Sequence, residues 1–163
     1  MADLFTHASI AVLARLYQRH PRGVATFVAG TCLPDLSRVP ATLLTRLRWD
    51  LPQIPEWLCY VWAPLHLPAG IAGMSFLAAC LFPEDRRKTA FVNILAGGML
   101  HLLVDLFQTH LGLGYLLLFP LSDWDVEFGL IGSETTVLWV PFLVPLTVAA
   151  AWWRWGRRPT SPR

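Results

Sequence analysis

Charged side chains are scarce in this chain of 163 residues, where they make up 15% of the sequence against 55% for apolar side chains. A soluble globular protein usually carries about 25% charged residues. Two stretches without any charged residue, 57–82 and 135–153, are each long enough to supply the roughly 20 apolar residues that cross a bilayer. The mean hydropathy of +0.47 agrees with this pattern. We therefore expect an integral, multi-pass membrane protein.

Cysteine is also scarce, and its placement excludes a disulfide framework. The chain has three cysteines, an odd number, and they are widely spaced in apolar sequence without a C-x-x-C zinc motif. The first residues lack a basic region ahead of the apolar part, so we do not expect a secretory leader. A net charge of +2 is too small for a nucleic-acid-binding surface, and no nucleic-acid partner is expected.

Neither a convincing strand nor an internal repeat is present, so the sequence predicts an all-α, membrane-embedded bundle of about five or six helices. We expect one helical domain over residues 1–155 and a basic C-terminal tail over 156–163. A proline disfavours the α conformation of the residue before it, so a helix from Val24 should end before Pro34. The remaining predicted segments are a helix at 4–17, a loop at 36–56 with a short amphipathic helix at 41–48, a helix from 57 disturbed by Pro64 and Pro68, a charged turn at 83–88, a helix at 89–107 and a helix at 135–155.

The distribution of basic residues predicts the orientation of these segments. Basic segments stay on the cytoplasmic side of a membrane, which places the C-terminal tail there and the acidic loop at 123–134 outside. Following the helices backwards, the polar side chains that could bind a metal fall at one end of the bundle. By this rule that end is the outer one.

The clearest chemical signal is a pair of polar residues inside an apolar run. His101 and Asp105 are four residues apart, so on a helix they share one face. An imidazole nitrogen and a carboxylate oxygen both bind zinc at about 2.0–2.2 Å. An unpaired aspartate in lipid costs about 2.5–3.5 kcal/mol even on a lenient scale. The pair therefore indicates either two metal ligands or an aspartate that hydrogen-bonds its own histidine.

Three other polar residues are weaker candidates when taken singly. His7 lies near a helix start, where a histidine is ordinarily a surface or capping residue. Asp35 follows Pro34, a position typical of turns. His66 lies between two prolines in a deeply apolar run, where a histidine is harder to explain.

The order of these residues along the chain resembles the ligand order of the superfamily of zinc-dependent phospholipases C and nucleases. The sequence motifs around these residues are similar to those of a membrane-bound branch, the inner-membrane metal-dependent hydrolases, which implies a location in the cell (inner) membrane. The resemblance covers roughly residues 2–134. Its matching stretches are Thr6-His7, 30–35, 64–66, 98–110 and 114–129.

This resemblance implies a metal centre. The implied ligands of the first site are Asp35, His66, His101 and Asp105. Asp105 would bridge to a second ion held by His7. We expect one or two divalent ions per chain, with zinc as the first choice.

The implied third site begins at His110. The soluble enzymes complete that site with a later histidine, and no histidine follows His110 in this chain. Glu127 or Glu134 would have to replace it, so three full sites are not expected.

The resemblance implies a hydrolase of phosphoester bonds that uses a metal-activated water, and a site beside lipid headgroups favours phospholipids as substrates. In this interpretation Asp35 also steers the water, and Arg38 binds the phosphate oxygens. An alternative is a non-catalytic membrane protein with a structural or degenerate metal site that binds a partner. A haem or quinone protein is a third possibility, but such proteins face histidines across helices without carboxylates among them. The oligomeric state is left open.

Overall fold

A computed structural model describes residues 4–18, 21–47, 63–109, 114–119 and 121–156, without the side chains of 37–47, 63 and 133–134. This part of the chain is mostly helical, which confirms the all-α prediction at that level. Its five α-helices are α1 (Leu4–Arg15), α2 (Val24–Leu47), α3 (Pro68–Ala79), α4 (Glu84–Leu106) and α5 (Ser133–Ala151). A 3-10 turn, Ala63–His66, precedes α3, and a π-helical turn, Trp152–Gly156, extends α5.

Helix α2 is longer than the sequence predicts. The predicted end before Pro34 is wrong, because α2 runs through this proline to Leu47. It includes residues 36–47 of the predicted loop, among them most of the predicted short helix at 41–48, and the rest of that loop lies outside the described residues. Pro34 is fully buried in the packed part of the molecule. Most helix stability in proteins comes from tertiary packing, which here outweighs the hydrogen bond that a proline removes.

Helix α4 also begins earlier than predicted. The charged residues expected to form a turn at 83–88 instead form the first turns of α4. Pro83 occupies the N-cap position, and Glu84 and Asp85 lie in the first turn. Carboxylates at this end interact favourably with the helix dipole, which explains why the helix tolerates so much charge.

Prolines interrupt the helix predicted from residue 57, as expected. Pro64 lies in the 3-10 turn that ends at His66, and Pro68 opens α3 at a position where its missing N–H costs nothing. The part of this predicted helix before residue 63 lies outside the described residues.

Helix α4 is the central element of the bundle. It contacts α1, α2 and α3, whereas α5 packs on α1. Helices α2 and α4 cross closely at two glycines. A Cβ on Gly30 would overlap the backbone of Ile94, and a Cβ on Gly97 would overlap the carbonyl oxygen of Phe27. Small residues at a crossing let two helix backbones approach, and this crossing brings the polar residues of α2 against those of α4.

A short sheet, absent from the sequence prediction, follows the end of α4. Its strands β1 (Gln108–Thr109) and β2 (Ile131–Gly132) pair in parallel. The described residues 114–119 and 121–132, which we call the return segment, also form an antiparallel bridge between Tyr115 and Val126. The last carbonyls of a helix have no partner within it. The return segment supplies one, because the amide of Phe128 donates to the Leu106 carbonyl at 2.8 Å.

Two stretches of the fold are long and apolar enough to cross a membrane. They are Glu84–Leu106 and Thr135–Gly156, with mean hydropathies of 1.6 each. The first is 44% buried inside the bundle, but the second is only 11% buried. The second therefore presents large apolar side chains outward along most of its length, among them Leu138, Trp139 and Phe142.

Candidate metal centre

Five of the residues predicted to bind a metal converge at one place in the bundle. They come from four separate elements: His7 from α1, Asp35 from α2, His66 from the end of the 3-10 turn, and His101 and Asp105 from α4. The side chains of the three histidines and of Asp105 are at most 2% exposed, and that of Asp35 is 12% exposed. Residues separated by up to 98 positions thus form one buried polar cluster in an apolar bundle.

The donor atoms of this cluster form two overlapping groups. One contains His7, His101 and Asp105, and the other contains Asp35, His66 and His101; within each group the donor atoms all lie within 4.8 Å of one another. Asp105 is central to the first group, with Oδ1 3.2 Å from His7 Nε2 and Oδ2 3.3 Å from His101 Nε2. Asp35 links the groups, since its oxygens lie 3.9 Å from the Nε2 atoms of both His7 and His66.

The ring of His101 is held in a defined orientation. Its Nδ1 lies 2.8 Å from the carbonyl oxygen of Thr31. A carbonyl oxygen only accepts hydrogen bonds, so Nδ1 donates its proton there and Nε2 faces the cluster. Metal-binding histidines commonly use one ring nitrogen in this way, which fixes the tautomer and leaves the other nitrogen free to bind the ion. The ring of His7 stacks on His101 at 3.9 Å between centroids.

Asp105 is held from a different direction. The hydroxyl of Tyr115 donates a hydrogen bond of 2.7 Å to its Oδ2. Hydrogen bonds from a hydroxyl to a carboxylate are short and about twice as strong as neutral ones. The carboxylate of Asp105 is therefore anchored through Oδ2, while Oδ1 faces His7.

The cluster fits a metal ion because several of its polar atoms are buried without hydrogen-bond partners among the described residues. Within the described part of the chain, this holds for Nδ1 of His7, both oxygens of Asp35, Nε2 of His101 and Oδ1 of Asp105. A buried polar atom left without a partner costs about 1–3 kcal/mol, and more when it is charged. Several such atoms facing one another are typical of a cation site, and a mixture of imidazole and carboxylate donors suits zinc.

Of the other predicted site residues, the structure describes the side chain of Glu127 alone. His110 and the side chains of Arg38 and Glu134 lie outside the described residues, so the predicted third site and the substrate contact remain predictions. Glu127 is half-buried and belongs to neither group of donor atoms. Burial raises the pKa of the nearby Cys32 thiol, and the negative charge of Asp35 raises it further.

Sequence reasoning missed two residues that support the cluster. Thr31 precedes Asp35 by four positions, so both occupy one face of a helix, but a threonine carbonyl carries no signal of its own. Tyr115 lies ten positions after Asp105 in a stretch that looks apolar throughout. The hydroxyl group of Tyr115 could have indicated this supporting role, because a tyrosine hydroxyl in an apolar region needs a hydrogen-bond partner.

No family model, no curated protein and no solved structure matches this chain.

Proposed function

We propose that this protein is a membrane-embedded, metal-dependent hydrolase that cleaves phosphoester bonds, with phospholipids as its substrates. The observation that carries the proposal is the convergence of five buried ligand-type side chains, several of whose donor atoms have no hydrogen-bond partner among the described residues. Such an arrangement destabilises the fold unless a cation compensates it. A bound metal ion would explain why these five buried polar side chains lie together.

The residues divide into two overlapping ligand sets, for one or two divalent ions. Asp35, His66 and His101, whose donor atoms form one group, would hold the first ion, and Asp105 would bridge it to a second ion that His7 also binds. A bound divalent ion polarises a phosphoryl oxygen and lowers the pKa of a bound water towards neutrality. Zinc is our first choice.

Asp35 is the ligand best suited to a second task. Its side chain is 12% exposed, whereas the side chains of the other four ligands are at most 2% exposed. Its two oxygens are themselves buried, so this exposure places Asp35 at the edge of the cluster, where it can orient an attacking water and accept its proton. Arg38 lies three residues further along α2, where a guanidinium could bind two phosphate oxygens at once.

The position of the cluster along α4 supports a lipid substrate. His101 and Asp105 lie in the last turns of this helix, the most buried of the two candidate membrane spans. A residue within a turn or two of the end of a spanning helix lies near the headgroup region. We propose that this end lies at the outer face of the inner membrane, because several basic residues lie at the opposite ends of the helices, namely Arg15, Arg86, Arg87, Lys88 and Arg154.

A second function has an observation in its favour. Structural zinc sites are closed, whereas catalytic sites keep a position open for water or substrate. Four of the five side chains are almost completely buried, which fits a structural site in a non-catalytic membrane protein that binds a partner. The position of Asp35 at the edge of the cluster favours the catalytic function.

Metal analysis and phosphodiester hydrolysis separate these functions. The purified protein in detergent should contain one or two divalent ions per chain and should hydrolyse bis(p-nitrophenyl) phosphate and phospholipid vesicles. His101→Ala and Asp105→Ala should each lower the affinity for the metal, and the rate of phosphodiester hydrolysis, by at least about 100-fold, as loss of a ligand or its support does. The metal content of the purified variants should fall accordingly. Asp123→Ala removes an exposed carboxylate outside the cluster and is the control.

Metal bound at the cluster without any hydrolysis would favour the structural function. A folded protein that contains no metal and does not take up zinc would contradict both.

A further inference from the structure

The return segment is fixed against the end of α4 by backbone hydrogen bonds. The amides of Phe128 and Leu130 donate to the carbonyls of Leu106 and Phe107 at 2.8 and 2.9 Å. Within the segment, Tyr115 and Val126 exchange two hydrogen bonds of 3.0 Å each. The segment is therefore positioned within one turn of Asp105, directly over the end of the helix that carries the cluster.

Apolar packing holds the same segment from its inner side. Leu117 and Val126 pack against a hydrophobic core formed by Leu102 and Leu106 of α4 and Ile71 of α3. Its outer side is different, since Leu121 and other large apolar side chains there are strongly exposed. The contacts described for the docked segment therefore include a small apolar contact, a few backbone hydrogen bonds and a side-chain contact with the metal-binding cluster.

That side-chain contact is the hydrogen bond from Tyr115 to Asp105. The hydroxyl donates to Oδ2 at 2.7 Å, and the receiving carboxylate is fully buried. The other oxygen, Oδ1, lies 3.2 Å from His7 Nε2. Fixing Oδ2 determines the rotation of the carboxylate about its Cβ–Cγ bond, so the tyrosine sets the direction in which Oδ1 points.

We propose that Tyr115 is a positioning residue that couples metal binding at the cluster to docking of the return segment. The inference rests on the proposed metal centre, because Asp105 is one of its ligands. When the segment is docked, the hydroxyl holds Asp105 in the orientation that binds the ion. When the ion is bound, it holds Asp105 where the hydroxyl can reach it. Coupling between two equilibria is reciprocal by thermodynamic necessity, so each event stabilises the other to the same extent.

The variant Tyr115→Phe tests the first half of this coupling, since it keeps the ring and removes only the hydroxyl. Its zinc affinity, measured by competition with a chromogenic chelator, should fall by about 10- to 100-fold, the usual effect of losing a residue that supports a ligand. The visible absorption bands of the cobalt-loaded variant should also shift, because they report the arrangement of the ligands around the ion. A merely structural tyrosine would leave these bands unchanged.

Leu117→Ala is the matched control. It weakens the apolar contact of the same segment but removes no polar contact with the cluster. It should lower thermal stability while the cobalt bands stay as in the wild type.

Hydrogen exchange tests the second half of the coupling. Addition of zinc to the wild type should slow exchange of the Phe128 and Leu130 amides, which donate to the carbonyls of Leu106 and Phe107 only when the segment is docked. In Tyr115→Phe, zinc should slow these amides much less even at saturating concentration.

The outcomes separate this inference from the proposed metal centre. A wild type that binds neither zinc nor cobalt contradicts the metal centre itself. A wild type that binds zinc, together with a Tyr115→Phe variant of equal affinity, unchanged cobalt bands and equal zinc-dependent protection, would overturn the coupling alone.

Discussion

A methyl group added at Gly97 tests whether the close crossing of α2 and α4 positions the metal centre. A Cβ there would overlap the Phe27 carbonyl oxygen and would lie 2.8 Å from the Thr31 amide nitrogen, whereas ordinary contact begins at 3.4 Å. The two helices must therefore move apart locally by at least about 0.6 Å, since a packed interior has no room to absorb the methyl group.

This separation acts directly on a ligand. The bond from His101 Nδ1 to the Thr31 carbonyl oxygen is 2.8 Å long. Lengthened by the same amount it reaches about 3.4 Å, beyond the 2.7–3.2 Å of a good hydrogen bond. His101 then loses the contact that fixes its tautomer and ring orientation. We expect zinc affinity to fall by about 10- to 100-fold and the free energy of unfolding to fall by about 1–3 kcal/mol from overpacking.

Zinc affinity is measured by chelator competition, and stability by thermal or denaturant unfolding in detergent. Gly73→Ala is the matched control, because a Cβ at Gly73 meets nothing within 4 Å. There the exchange should stabilise α3 by about 0.5–1 kcal/mol, because alanine is the better helix former, and zinc affinity should not change. A Gly97→Ala protein with wild-type zinc affinity would refute the link between helix crossing and ligand orientation.

Two further predictions concern stability and the membrane. Removing metal with a chelator should lower the unfolding temperature, and free zinc at 100 times its Kd should restore about 2.7 kcal/mol of stability; a thermal-shift experiment that finds equal stability with and without zinc would contradict a site in the native bundle. Leu146, which is 61% exposed near the middle of the second candidate span, should tolerate lysine poorly, because a charge at the bilayer centre costs about 2.5–3.5 kcal/mol. Membrane-inserted yield of Leu146→Lys should drop, whereas Asp123→Lys, outside both candidate spans, should insert normally; equal yields would show that α5 does not lie in lipid.

The candidate site was more predictable than the fold around it. The spacing of His101 and Asp105 determines their common face as soon as the segment is helical, because a helix repeats every 3.6 residues. Bringing His7, Asp35 and His66 to the same place requires tertiary structure, which no local spacing contains. The order of ligand types along the chain supplied that information through a family resemblance.

The errors in the fold have different causes. Pro34 carries a strong local signal against helix yet lies in α2, whereas most of the charged residues at the start of α4 are good helix formers that were assigned to a turn. At Pro34 the burial of α2 against its neighbours outweighs the local preference. The pairing of β1 with β2 could not be predicted from local sequence, because each strand has only two residues and pairs with a segment more than 20 positions away.

The charges of the cluster explain why a cation is the natural complement of this site. Two carboxylates and three imidazoles share a region in which only Asp35 is more than 2% exposed. With neutral imidazoles the cluster carries two negative charges, and burying an uncompensated charge costs several kcal/mol. The hydroxyl of Tyr115 compensates part of the charge on Asp105, and no hydrogen bond to Asp35 occurs within the described residues. One divalent cation would neutralise both carboxylates and use the imidazole nitrogens that face them, whereas two would leave a positive centre that attracts an anionic phosphate. In the proposed function, a second ion would therefore favour phosphoester binding over a closed structural site.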